Sequence, residues 1–167
     1  VRYGAFHFHK RYIRTYSDTY PGKSGGLSEK CAVGLFRSDD GDCWIGTDGQ
    51  GINRFSLSDR RFSHFAPTFG YSVPSLCGFD DSGKILASFF NKGFVLFDSK
   101  TYSVCDFVLK SEQEDQALFR DGLYPYLFRT RHDRIFILGN LMYVLNPLSG
   151  MVSELVSDDG KTWTWPK

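Results

Sequence analysis

The chain has 167 residues, of which 41% are hydrophobic and 17% aromatic, and its 20 Lys and Arg stand against 19 Asp and Glu. A net charge of +1 leaves no basic excess to hold nucleic acid or an anionic membrane surface. No apolar run reaches the roughly 18 residues a membrane span needs, so no membrane contact by this segment is expected.

Taken in order, the chain opens with two strand-like runs, 4–9 and 12–16, the remnant of a sheet over 1–17. Residues 17–30 are a polar linker. Its Pro21-Gly22-Lys23-Ser24 lacks the earlier glycine of a phosphate loop (Ser17 stands there), and no helix signal follows. Residues 34–65 read as four short strands. The turn holding Asp39, Asp40, Gly41 and Asp42 separates the first two, because Asp bonds its own backbone and Gly supplies a positive φ. The strand carrying Trp44, Ile45 and Gly46 follows, then a turn of Asp48, Gly49, Gln50 and Gly51, then 52–55, a polar turn and 61–65. Four strands joined by tight turns make one antiparallel meander. Residues 66–75 form a Pro- and Gly-containing loop with Tyr71 partly exposed. The pattern then recurs: Gly83 lies 42 residues after Gly41, and Gly93 lies 42 after Gly51. Residues 108–125 are a long connection. Ser111 and Glu114 form a capping box, which predicts one short helix over 112–120. A more worn copy runs through 126–146. Last, 151–156 turn at Asp159-Gly160 onto 162–165, a turn that partly resembles the Asp box of sialidase-type propellers, with Val156 where that box has Ser.

Repeats of about 40–45 residues with four strands each are the signature of a β-propeller. The expected fold is all-β, a propeller fragment of three to four four-stranded antiparallel blades with one short helix between blades. The units expected are a remnant at 1–17, blades at 26–66, 73–108 and 124–156, and a terminal hairpin strand at 157–167. Closed propellers have about four to eight blades, so the chain is expected to be part of a longer protein whose remaining blades cover its open faces.

Little of the sequence demands chemistry. His7 and His9 share one strand face but have no acid or thiol nearby in sequence, so no metal is assigned. Asp39, Asp40 and Asp42 lack the closing Glu of a calcium loop, since residue 50 is Gln. Gly46, Gly49 and Gly51 lack the third glycine of a dinucleotide fingerprint and precede a strand. No cofactor is expected. Cys31, Cys43, Cys77 and Cys105 form no CxxC pair and are expected as buried or half-buried free thiols.

Residues 40–55, with the turn at Asp40-Gly41, the strand of Trp44 and Gly46, and the turn at Gly49 and Gly51, resemble the two-component regulator propeller repeat. Gly83 and Gly93 hold the matching places in the next copy. The resemblance implies a non-catalytic sensor segment in the periplasmic region of an inner-membrane hybrid histidine kinase and response regulator of glycan-degrading gut bacteria. It implies partners in the remaining blades and the C-terminal sensor module, an oligosaccharide ligand and a homodimer. The alternatives are a propeller enzyme of lyase or sialidase type and a protein-interaction scaffold.

In a meander the chain direction alternates, so second-to-third turns and interblade loops collect at one end. That end carries Asp48, Gln50, Asn91, Lys92, Asn140, Tyr71 and Tyr124, a mix of hydrogen-bonding and aromatic side chains suited to a sugar or a partner loop. These are the ligand- or partner-binding residues the sequence points to.

Overall fold

The computed structural model describes residues 26–65, 70–111, 125–139 and 141–161. The remnant at 1–17, His7 and His9, the helix over 112–120, Tyr124, Asn140 and the strand at 162–165 lie outside them.

The described residues form three antiparallel sheets and no helix. The first blade has β1 (Ala32–Arg37), β2 (Cys43–Thr47), β3 (Ile52–Phe55) and β4 (Phe62–Phe65), in that spatial order. The second has β5 (Ser75–Gly78), β6 (Lys84–Phe89), β7 (Gly93–Asp98) and β8 (Val104–Phe107). The third has β10 (Tyr126–Arg129), β11 (Ile135–Leu138), β12 (Met142–Leu145) and β13 (Met151–Glu154). Arg37 pairs with Cys43, so the first hairpin closes around its Asp-rich turn. The long connection contributes one further element. Lys110–Ser111 forms β9, which pairs in parallel with β13 and makes the third sheet five-stranded. A two-residue strand carries no period for a sequence to show, and it covers part of an otherwise open sheet edge.

The repeat is written in the backbone as well as the sequence. Positive φ occurs at Gly41, Gly49, Gly51 and Arg60, and again at the matching places of the next blade, Gly83, Asn91, Gly93 and Tyr102. Each third-to-fourth connection is the same six-residue turn. In 56–61 the Arg60 N–H donates to the Ser56 carbonyl, in 98–103 Tyr102 donates to Asp98, and in 146–151 Gly150 donates to Asn146. The third copy, worn in sequence, keeps this turn and has a glycine at the left-handed position.

The blades stack by alternation along the central strands. Ile85, Ala87, Phe89, Val95 and Phe97 of the second blade pack toward the first, around Trp44 and Ile52. Leu86 and Phe94 point the other way and meet Leu127, Ile135, Ile137 and Leu145 of the third. A period of two thus gives one strand pair two apolar interfaces. Trp44 is 1% exposed and meets the Phe97 ring edge-on at 5.2 Å. Close approach depends on Gly46, where a Cβ would sit 2.1 Å from the Val73 carbonyl oxygen. All four cysteines are free, with Cys77 buried and Cys43 half-buried as expected, but Cys31 and Cys105 depart from expectation in being exposed. Cys31 precedes β1 and Cys105 lies on the outermost strand of its blade.

Candidate functional site

The end carrying the first-to-second turns is built from three polar arrangements. In the first blade Ser38 donates to Asp40 at 2.5 Å and accepts from the Trp44 indole N–H at 3.1 Å. The Ser38 bond, with smaller help from the Asp42 backbone and the charge of Arg54, holds the Asp40 carboxyl below its ordinary 3.8. The second blade repeats the device. Burial pushes Asp80 up, but bonds from the Ser82 hydroxyl and N–H outweigh it and bring the group down.

Between the first and second blades stands Arg54, on β3. It ion-pairs with the buried Asp42, its Nε donating at 2.6 Å, and its Nη1 donates to the Tyr102 hydroxyl of the second blade at 3.1 Å. Asp42 also accepts from the Leu57 N–H at 3.2 Å. Burial pulls the Arg54 guanidinium down, and the bond and charge of Asp42 more than restore it. Between the second and third blades stands Arg129, on β10. Its Nη2 donates to Asp81 at 2.8 Å and to Asp133 at 2.6 Å, one carboxylate from each blade. Sequence reading did not single out Arg54, Tyr102 or Arg129. Each comes from a different repeat position, and only the four-residue spacing of Arg129 and Asp133 gave a local hint.

At the opposite end lie the described residues among those the sequence favoured, Asp48, Gln50, Tyr71, Asn91 and Lys92. Asp48 bridges to Ser72, beside the 40% exposed Tyr71, and its N–H donates to Cys31 at 3.0 Å. The Ser72 carbonyl accepts from Phe90 at 2.9 Å, which draws the turn of Asn91 and Lys92 to the same strip. Lys92 pairs with Asp106 at 3.5 Å and lies 5.8 Å over the Phe89 ring. Gln50 lies in the same turn as Asp48, its backbone carbonyl accepting from the Ser28 hydroxyl at 3.2 Å. Ser72 links the Asp48 turn to that of Asn91 and Lys92, next to Tyr71. Among the described residues no group of three His, Cys, Asp or Glu side chains is placed to hold a metal ion.

Two hollows open at the end of the Asp-rich turns. One, of about 670 Å³, reaches from Phe36 and Tyr102 across Gly78 to Arg129. The other, of about 940 Å³, lies between the second and third blades, with Phe79, Tyr143 and Leu148 among its walls. Asp80, Asp81, Arg129 and Asp133 border both.

No protein-family model and no curated protein matches the sequence. Solved structures do. The extracellular domain of the hybrid two-component system BT3049 from B. thetaiotaomicron superposes with a TM-score of 0.67 at 16% identity, covering 90% of this chain and 21% of that one. That of BT4673 from the same organism gives 0.61 at 17%, covering 95% and 24%. The β-propeller domain of Cps50 (Swd1) from Myceliophteria thermophila gives 0.56 at 14%, covering 77% and 42%. The fold is that of β-propeller blades. The first two neighbours are extracellular domains of hybrid two-component systems, the class that the resemblance of 40–55 implies. This chain spans about a fifth to a quarter of their length.

Proposed function

We propose that the chain is a non-catalytic, extracytoplasmic sensing segment of a hybrid two-component signalling protein. We further propose that its inner-membrane parent governs the use of a carbohydrate and is completed by further blades, a C-terminal sensor module and a second copy of itself. The observation that carries this reading is the match of nine-tenths of the chain to the extracellular domain of such a system. The blades fit a sensing role physically, since rigid stacked sheets hold turns and loops in fixed positions at both ends. The blade boundaries expected from the sequence belong to the same reading. The test uses the full-length parent in membranes, measuring phosphate transfer from ATP to its receiver domain while neutral and acidic glycans are added in turn. One glycan class should change the rate by several fold. Transfer indifferent to every glycan would overturn the carbohydrate reading.

A further inference from the structure

We propose that the smaller hollow at the Asp-rich end, between Tyr102 and Arg129, binds a neutral polyhydroxylated ligand, one or two sugar rings, with those two residues as its anchors. The proposal rests on the carbohydrate reading above and adds the place and the charge class. Ligand sites commonly enclose about 300–1,000 Å³, and this hollow falls within that range. Its floor is Gly78. A Cβ there would lie 3.3 Å from the Phe36 ring and 3.4 Å from Arg129 Nη1, so the aromatic edge and the guanidinium stand side by side with no side chain between them.

Among the described residues, Arg129 bonds only through Nη2. Its Nη1 and Nε donors have no partner among the described residues, and its side chain is 18% exposed. It is a fixed, charged donor with capacity to spare. Tyr102, which lines the same hollow, is 46% exposed. Its ring is held in place by stacking on Phe65 and by the bond from Arg54. A held aromatic and a held donor on one hollow are what a ring with one apolar face and several hydroxyls requires.

The charge class follows from the rim. As many Asp as Lys and Arg side chains line the hollow. A polyanion would meet the carboxylates, and a cation would meet Arg54, Lys84 and Arg129. A hydroxyl donates a hydrogen bond to a carboxylate while accepting one from a guanidinium, so a neutral polyol uses both signs at once.

The test is a backbone-amide NMR titration of the full chain with maltotetraose, cellotetraose, mannotetraose and tetragalacturonate. A neutral probe should shift the amides of Gly78, Asp81, Tyr102 and Arg129, with binding about tenfold weaker in Tyr102→Gly and in Arg129→Gln. Tyr102→Gly loses the stack on Phe65 and the bond from Arg54, but Tyr102 belongs to neither buried cluster, so this variant reports even where Arg129→Gln fails to fold. Shifts confined to Asp48, Tyr71 and Asn91, no shifts with any neutral probe, or preference for tetragalacturonate would each overturn the proposal. Failure here beside a glycan-responsive parent removes the site and leaves the sensor reading. Binding here beside an indifferent parent does the reverse.

Discussion

Tyr102 of the second blade lies nearly flat on Phe65 of the first, with ring centroids 4.7 Å apart and planes 15° apart. Its hydroxyl accepts from Arg54, whose guanidinium stands 5.8 Å over Trp44. The blades are therefore joined at their outer margin by a short relay as well as by their cores. A double-mutant cycle of Arg54→Met and Tyr102→Phe should show coupling of about 0.5–1 kcal/mol, the scale of one partly exposed hydrogen bond. Denaturant melts of the four proteins measure it. Strict additivity would mean the bond contributes nothing.

Arg60 and Tyr102 hold the same turn position with φ of 59° and 60°, where the third blade has Gly150. Holding an L side chain there costs about 1–2 kcal/mol, partly offset by the freedom glycine regains on unfolding. Arg60 is exposed, so Arg60→Gly should stabilise the chain by about 0.5 kcal/mol, the difference of those two effects. Tyr102→Gly should destabilise it despite relieving the same strain, because a stacked ring and a hydrogen bond leave with it. Thermal melts that move in the same direction for both would contradict this account.

Gly46 presses on the linker between the first two blades, and Gly34 does so one strand over, where a Cβ would lie 2.7 Å from the same Val73 oxygen. Neither contact is with the flexible end of a side chain, so the linker backbone itself must move. Gly46→Ala should cost about 3 kcal/mol or more, above the usual overpacking range, and Trp44→Ala about 3–5 kcal/mol. Urea denaturation of each variant provides the comparison.

The propeller was legible because its cause is local. Turn glycines recur at one fixed interval, and the near-continuous burial along β6 and β7 shows that both their faces are covered. The candidate site was much less so. The sequence separated the two ends by strand direction, but it weighed them by the composition of their turns. What shapes the Asp-rich end is instead Arg54 and Arg129, mid-strand or strand-end residues whose partners Tyr102 and Asp81 each lie 48 residues away. β9 escaped for a related reason, since Lys110 pairs with Met151, a whole blade further along the chain. Pairings of this kind depend on how the blades dock, which no local pattern encodes.

The cysteines offer a direct chemical check on burial. Apolar surroundings push the Cys77 thiol up to about 12, so almost none of it is thiolate near neutral pH. Cys31 and Cys105 are exposed. Iodoacetamide at pH 8 should modify those two within minutes and leave Cys77 unmodified until the chain is unfolded. Peptide mass mapping over a time course distinguishes the sites. Early loss of the Cys77 thiol would mean that the interface between the second and third blades opens in the native state.

Acid should act on the blades through the serine-capped turns. The Ser38 hydroxyl, first among several causes, lowers Asp40 from 3.8 in the folded chain. A carboxyl whose native pKa lies below its unfolded value adds stability that is complete above about 4 and is lost as the pH falls through the native value. Ser38→Ala removes the main cause, so Asp40 should then titrate nearer 3.8 in both states and contribute little at any pH. The variant also loses the Trp44 indole partner, a cost with no titrating group behind it. The stability gap between wild type and Ser38→Ala should therefore be constant from pH 7 to about 5 and should narrow below about 4. Urea melts at half-unit intervals from pH 7 to 2.5 would show it. A gap that stays constant to the lowest pH would assign the role of Ser38 to Trp44 alone.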